Sequence, residues 1–264
     1  MFAWRPTDTT AIVEERTAAG SRLVAVPLDG GAATPLVELP PGTEWNMRRD
    51  GSAIAMTVDL GSVTTTRLRI AALNLQTGAL GWVTPNEPTL SHHSPLWSID
   101  GSVIYYTKTE VDGVTDLGIF RIRTDGSNLT QLRAPSNDGA ISVVGLTPDG
   151  LGLVLARSVV SGLVDILDLN TRAIRSFVNP PYSTLGARPG AYVSSWRPQR
   201  PRALVGFGGP AGGPRVYVWD DLAPTPSPTP LLPDETFLQP LGSVFGDNLS
   251  LVDNQHTVTN LLRF

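Results

Sequence analysis

Two adjacent histidines, His92 and His93, are the most conspicuous candidates for chemistry, and they lie just ahead of a predicted strand. Imidazole nitrogens bind metals and exchange protons near neutral pH. Because adjacent residues of a strand point to opposite faces, at most one of the two rings can easily face a common site. The only other histidine is His256, so a metal site would lack ligands. We expect both histidines to be surface or loop-packing residues.

Four carboxylates fall in predicted loops near the histidines: Asp59, Glu110, Asp112 and Asp116. Carboxylate oxygens are ligands for Ca²⁺. The sequence has no contiguous calcium loop with alternating Asp or Asn, so solvated charges are the preferred interpretation and a channel Ca²⁺ is the alternative. Spacing along the chain does not give the separation that paired carboxylates need for glycoside cleavage.

Motifs for nucleophilic catalysis and phosphate binding are absent from the sequence. There is no Gly-x-Ser-x-Gly nucleophile motif, and the glycine-rich run at 206–214 lacks the Lys-Ser/Thr pair of a phosphate loop. Cysteine is also absent, which excludes disulfides and thiolate metal sites. We therefore predict a non-enzyme with no catalytic residue, metal site or cofactor.

A repeat runs through the chain and must position these loops. A large apolar residue stands just before a turn sequence, often Asp-Gly, and an apolar strand follows. Aligned on this residue, the copies lie 41, 52, 49 and 50 residues apart, and a further step of 49 reaches Phe245. The aligned residues are Trp4, Trp45, Trp97, Leu146 and Trp196.

Each repeat contains four short strands in about 40 to 50 residues, which is the pattern of a β-propeller blade. The glycine of Asp-Gly supplies the positive φ of a tight hairpin between the first two strands. The large aromatic residue can wedge between neighbouring blades and cover apolar surface. We therefore assign a structural role to the tryptophans.

Trp-Ser-x-Asp-Gly and Ile-Phe-x-x-x-x-Asp-Gly-Ser in the third repeat resemble the TolB-type, WD40-like (PD40) repeat family. This resemblance implies an all-β fold, namely a six-bladed propeller of four-stranded antiparallel blades, with the last blade incomplete or closed by another strand. Family members include periplasmic partner-binding domains and propellers that gate peptidases, so the resemblance concerns architecture rather than activity.

A single propeller domain over residues 1–264 is expected, because no long polar linker separates the repeats. The strand that would complete the sixth blade is expected from an upstream segment or a partner. The proline-rich run at 223–230 is interpreted as a surface excursion. The blades span about 1–39, 40–84, 90–133, 140–178, 190–233 and 237–264.

Composition limits the partners. The net charge is −4 with a pI near 5.4, and no basic patch is visible, which argues against nucleic acid. Lys108 is the only lysine, and we assign it no role. The first ten residues lack a signal peptide and no run is long enough to span a membrane, so no direct membrane insertion is expected. We expect a periplasmic or extracellular location, with a cytoplasmic one left open.

The leading hypothesis is a non-catalytic protein-interaction scaffold, part of an extracytoplasmic assembly, that binds a protein partner through its loop face. Tyr and Arg are frequent interface anchors. The candidate partner or ligand residues are His92, His93, Asp112, Tyr182, Arg188 and Tyr192. The alternatives are a carbohydrate-active or metal-dependent enzyme that uses the channel-mouth loops, and a structural subunit held through the missing strand.

Overall fold

Every regular element of the described chain is a β-strand, and no helix there is long and apolar enough to cross a membrane. The computed structural model describes residues 2–4, 10–17, 20–27, 29–62, 65–111, 115–135, 141–147, 150–157, 164–177, 192–197, 200–207, 215–220, 229–230, 239–240, 248–252 and 258–263. The chain divides into two compact units, Met1–Asn137 and Asp138–Phe264.

The first unit contains three four-stranded antiparallel sheets in which strands pair in chain order. Sheet 1 contains β1 (Phe2–Trp4), β2 (Thr10–Thr17), β3 (Gly20–Pro27) and β4 (Thr34–Leu39). Sheet 2 contains β5 (Trp45–Met47), β6 (Ala53–Asp59), β7 (Leu68–Asn74) and β8 (Leu80–Trp82). Sheet 3 contains β9 (Leu90–Trp97), β10 (Val103–Glu110), β11 (Asp116–Arg123) and β12 (Thr130–Arg133).

The second unit contains two four-stranded sheets and one sheet with three described strands. Sheet 4 contains β13 (Ile141–Leu146), β14 (Gly152–Arg157), β15 (Val164–Asp168) and β16 (Ile174–Phe177). Sheet 5 contains β17 (Tyr192–Arg197), β18 (Arg200–Phe207), β19 (Arg215–Asp220) and β20 (Thr229–Pro230). Sheet 6 contains β21 (Gln239–Pro240), β22 (Asn248–Val252) and β23 (Val258–Arg263).

Strand register corrects the sequence alignment at one repeat. In sheets 1, 3, 4 and 5, the aligned residue of the first strand pairs with the residue seven positions later, as Trp97 does with Ile104. In sheet 2 the residue that pairs in this way is Met47, whose partner is Ile54, whereas Trp45 pairs with Met56. The sequence alignment was therefore wrong by two residues in this repeat, because it used the large side chain of Trp45 instead of Met47. The corrected spacings are 43, 50, 49 and 50 residues.

A β-bulge recurs in the first strands of sheets 3, 4 and 5. One extra residue lies between His93 and Leu96 in β9, and single extra residues occur at 144 in β13 and 194 in β17. Ser94 in the first bulge has φ of 53°, in the left-handed region. A bulge bends its strand and increases its twist, so this recurrence indicates equivalent bends in three sheets.

The cores of the first unit lie between neighbouring sheets. Between sheets 1 and 2, the buried residues are Ile12, Leu23, Leu39, Trp45, Ile54 and Met56. Between sheets 2 and 3, they are Ala53, Ala55, Ile70, Val83, Trp97, Ile104, Tyr106 and Ile122. Trp97 is 5% exposed, and its Nε1–H donates to the carbonyl of Asn46 in sheet 2 at 3.2 Å. The predicted wedge role is confirmed for this tryptophan.

The Asp-Gly turns also adopt the expected backbone conformation. Gly51 and Gly101 have φ of 71° and 68°. The Asp100 carboxylate accepts a hydrogen bond from the Ser102 amide at 3.0 Å, and Asp50 does the same for Ser52 at 2.9 Å. These turns end the first strands of sheets 2 and 3 and fix the pairing of the second strands.

Candidate functional site

A charged cluster lies at one end of sheets 2 and 3, where the Val111 amide after β10 donates to the Thr89 carbonyl before β9, and the Leu68 amide of β7 donates to Ser91 Oγ of β9. We call this the loop end. Pairing of Lys108 with His92 and alternation along β10 place Lys108, Tyr106 and His92 on one face of sheet 3. Ile104, on the same face, belongs to the core between sheets 2 and 3. The cluster therefore closes the loop end of this core.

Glu87, in the connection before β9, joins the two basic residues of the cluster. His92 Nε2–H donates to Glu87 Oε2 at 3.0 Å, and Lys108 Nζ lies 3.0 Å from Oε1 and 2.8 Å from Oε2. The side chains of His92 and Lys108 are 1% and 7% exposed, whereas that of Glu87 is 30% exposed. We call Glu87, His92 and Lys108 the charged cluster.

The environment sets the protonation states of the charged cluster. Burial lowers the pKa of His92 to about 4, assisted by the charge of Lys108 and opposed by the hydrogen bond to Glu87. Partial burial alone would raise the pKa of Glu87, but hydrogen bonds from Lys108 and His92 outweigh it and hold this pKa below its ordinary value. At neutral pH the cluster is therefore a Glu⁻–Lys⁺ pair with a neutral imidazole that carries its proton on Nε2.

Two aromatic side chains enclose the charged cluster. The Tyr106 ring meets the His92 ring edge-on at 5.4 Å and stacks on Phe120 at 5.9 Å. Lys108 Nζ lies 4.9 Å from the centre of the Phe120 ring, a cation–π distance. Burial raises the pKa of Tyr106 above its ordinary value. Among the described residues, His92 Nδ1 and the Tyr106 hydroxyl have no hydrogen-bond partner.

His93 lies on the opposite face of sheet 3. Its Nε2 is 3.2 Å from Thr109 Oγ1, and because the Thr109 hydroxyl donates to the Glu110 carbonyl, the imidazole is the donor in this pair. Burial lowers the pKa of His93, and the charge of Glu44 opposes this. Glu44 also accepts a hydrogen bond from the amide of the bulged Ser94. This group thus connects the start of sheet 2 to the bulge in β9.

The six candidate binding residues do not form one described site. The two histidines point to opposite faces, as predicted, and His92 is too deeply buried to contact a partner. His93 is partly exposed at the loop end. Tyr192 begins β17 and pairs with Gly206. Residues Asp112, Tyr182 and Arg188 lie outside the described residues.

Glu87 and Lys108 are part of the charged cluster but were not among the candidate residues predicted from the sequence. The sequence contained a signal for Lys108. Side chains alternate between the two faces of β10, and this places the only lysine on the same face as Ile104 and Tyr106. Glu87 had no comparable signal, since a loop residue five positions before His92 has no fixed direction. Only the path of the loop brings its carboxylate to both partners.

The loop carboxylates serve local structure where they are described. Asp59 accepts from the amides of Gly61 and Arg67 at 2.8 and 2.9 Å, and Asp116 accepts from the Gly118 amide at 2.9 Å. In the part of the chain that the structure describes, no three His, Cys, Asp or Glu side chains are grouped to hold a metal ion.

Solved structures similar to this chain include β-propellers. TolB from Acinetobacter baumannii is 15% identical with a TM-score of 0.61; the match covers 97% of this chain but only 63% of TolB. A chain of the nidogen/laminin complex is 12% identical with a TM-score of 0.64, covering 97% and 94% of the two chains. The β-propeller domain of Cps50 (Swd1) from Myceliophteria thermophila is 10% identical with a TM-score of 0.55, covering 100% and 96%.

No protein-family model and no curated protein matches the chain. Prolyl endopeptidases are also among the solved structures with this fold, and there the chain spans 42% of the matched chain. At such low identities the likeness establishes the fold alone. The chain therefore has a β-propeller fold built from antiparallel sheets, as the sequence predicted.

Proposed function

We propose that the protein is a non-catalytic, TolB-like scaffold that binds a protein partner at the loop end of its sheets. The observation that carries this proposal is a pre-organised loop end at which Glu87, Lys108 and His93 already have partners inside the protein. Glu87 holds both basic residues of the charged cluster, and His93 donates to Thr109. A catalytic acid or base must instead reach a substrate proton.

Hydrogen bonds between sheets 2 and 3 make this end a fixed platform. The Leu68 amide donates to Ser91 Oγ at 3.2 Å, and Glu44 accepts from the Ser94 amide. At the inner strands, the Trp97 amide donates to Asn46 Oδ1 at 3.1 Å. A surface that is already ordered loses less conformational entropy on binding, which favours a binding role.

One of the solved structures with a similar fold supports a binding role. One matched chain belongs to a complex between nidogen and laminin, which is a protein–protein complex. We therefore keep the partly exposed His93, together with Asp112, Tyr182, Arg188 and Tyr192, as the proposed partner residues of the loop face. An extracytoplasmic location belongs to the same proposal.

We further propose that the chain forms a six-bladed propeller of the TolB-type repeat family. The six sheets in chain order and the regular spacing of their first strands support this count. Sheet 6 has three described strands, so an additional strand would complete it. An experimental structure with five or seven blades around the axis would contradict this proposal.

Site-specific photocrosslinking tests the binding role. A benzophenone amino acid replaces Thr89 or Glu110, which are exposed at the loop end, or Thr124, which is exposed at the opposite end. In cells that naturally produce the protein, we expect crosslinks to another protein from the first pair alone. Absence of crosslinks, with a stoichiometric metal that is lost in His93→Ala, would support the enzyme alternative instead.

A further inference from the structure

An exposed apolar patch lies on β8, the outer strand of sheet 2. Leu80 is 50% exposed and Trp82 is 43% exposed, and their alternation places both on one face of the strand. β8 ends the sheet order β5-β6-β7-β8, so its outer edge has no strand partner among the described residues. Two large apolar side chains side by side on an unpaired edge are typical of an interaction site.

Two arginines extend this patch toward the loop end. The Arg69 guanidinium lies 4.4 Å from the centre of the Trp82 ring, and its Nε–H donates to the Thr84 carbonyl at 2.8 Å. Arg67 Nη1 donates to Asn86 Oδ1 at 3.0 Å. These contacts hold both guanidinium groups in place beside the tryptophan. We call Arg67, Arg69, Leu80 and Trp82 the rim patch.

The rim patch carries positive charge that no carboxylate of the described residues pairs with. Within the described part of the chain, neither Arg67 nor Arg69 is within ion-pair distance of a carboxylate, in contrast to Arg22, which pairs with Glu15 at 2.6 Å. Partial burial and, to a smaller extent, the charge of Arg67 lower the pKa of Arg69. Fixed guanidinium groups that lack an anion are complementary to a carboxylate, which they can bind through two parallel hydrogen bonds.

We infer that the rim patch docks an extended acidic segment of a partner protein, which adds as a strand beside β8. Backbone hydrogen bonds to the free edge would supply affinity, while an apolar side chain packs on Trp82 and Leu80. A carboxylate of the same segment would meet Arg69 and Arg67. The inference rests on the proposed scaffold function for its class of ligand but uses a different surface, at the rim.

Two synthetic peptides provide the probes. One is a capped seven-residue peptide in which Val and Glu alternate, and the other has Lys in place of each Glu. We expect the Glu peptide to bind at least tenfold more tightly by calorimetry, and to shift the indole N–H resonance of Trp82. Methylation of alternate backbone nitrogens in the Glu peptide should abolish binding, because strand addition needs the amide donors.

Variants of the rim patch locate the site. Trp82→Ala and Arg69→Gln should each weaken the Glu peptide about tenfold, which corresponds to loss of one charge-assisted or aromatic contact. The matched controls, Leu129→Ala and Arg123→Gln, change exposed residues in the turn after β11 and at the end of β11, and should leave binding unchanged. Unfolding curves of all four variants show that each is folded.

Three results would overturn the inference. These are equal binding of the Glu and Lys peptides, binding that survives both rim variants, and self-association of the chain that Trp82→Ala removes. The last would assign the rim patch to a second copy of the protein. Crosslinks from Thr89 and Glu110 without peptide binding would contradict the rim site while leaving the scaffold proposal intact.

Discussion

The two sheet interfaces of the first unit use the same wedge but differ in what surrounds it. Between sheets 1 and 2, Trp45 packs among aliphatic residues and donates to Glu14 at 3.0 Å. Between sheets 2 and 3, Trp97 packs in a similar core, but that core is closed at the loop end by the charged cluster. The first interface is therefore held mainly by apolar burial, with the hydrogen bond from Trp45 to Glu14 across it.

The contrast between the two interfaces indicates what the charged cluster contributes. Apolar packing can join two sheets without fixing their loops, whereas a buried ion pair is favourable in only one geometry. The cluster draws Glu87, from the connection before β9, onto sheet 3 and orders the surface that we propose for partner binding. Its expected cost is a loss of stability in mildly acidic solution, where His92 of the unfolded chain takes up a proton that the folded chain does not bind.

The largest expected effect is that of Glu87→Gln. This change leaves Lys108 buried without its counter-charge, so we expect a loss of about 3 kcal/mol in the free energy of unfolding at pH 7. Urea unfolding followed by tryptophan fluorescence measures it. The matched change in the other interface, Glu14→Gln, should cost less than about 1 kcal/mol. Equal costs for the two variants would remove the contrast between the interfaces.

Mild acid, between about pH 6.5 and 4.5, should weaken the interface of sheets 2 and 3, because that interface contains His92. His92, with a pKa of about 4, stays neutral in the folded protein while the unfolded chain binds a proton near its ordinary pKa of 6.5. The free energy of unfolding should therefore fall as pH drops from 6.5 to 4, by on the order of 3 kcal/mol from this group. The lowered pKa of Glu87 adds a further loss below about pH 4.5.

His92→Phe tests the assignment of this pH dependence. The variant cannot take up the proton, so the curve of stability against pH should flatten between pH 6.5 and 4. His93 contributes in the same direction, because its pKa is also lowered, so a shallow slope should remain. A variant that keeps the full slope of the natural protein would show that other groups cause it.

Gly101→Ala probes the opposite end of the same interface. Gly101 has φ of 68°, and an added Cβ would collide with the Arg48 side chain of sheet 2. We expect a cost of about 2 kcal/mol. Gly78→Ala is the control, since Gly78 has φ of 71° but open space around its Cα, and should cost about 1 kcal/mol. Thermal unfolding of the two variants separates crowding from backbone strain.

The smallest effect is expected when the whole cluster becomes apolar. The triple variant Glu87→Leu, His92→Phe and Lys108→Met should be within about 1 kcal/mol of the natural protein at pH 7, because replacing a complete buried ion pair is often neutral. It should also be the least sensitive to acid. A loss of several kcal/mol in urea unfolding would show that the cluster is needed for stability itself.

Much of the fold could be predicted from the sequence because it depends on local chemistry. The turn at Asp100 and Gly101 needs only a carboxylate acceptor and a residue that tolerates positive φ, and both are visible in the sequence. The opposite faces of His92 and His93 follow from strand geometry. The alignment of the second repeat on Trp45 was wrong, because side-chain size marks a repeat position less reliably than strand register does.

The candidate site was less predictable because it depends on contacts between segments. Lys108 and His92 are paired across two strands, and Glu87 reaches them from a loop, so no local pattern joins the three. The rim patch has the same character, since Arg69 and Trp82 are 13 positions apart and meet through pairing of β7 with β8. Both sites therefore form only through the tertiary structure, which local sequence patterns do not predict.

The most direct test of the account is the titration of His92 by NMR. Because His92 is buried in the charged cluster, it should keep a single proton on Nε2 at neutral pH and titrate with a midpoint near 4. Assignment by loss of the signal in His92→Phe identifies the resonance. A midpoint near 6.5 would show that the ring is open to solvent. It would contradict the buried cluster and make His92 again a candidate for metal binding or proton exchange.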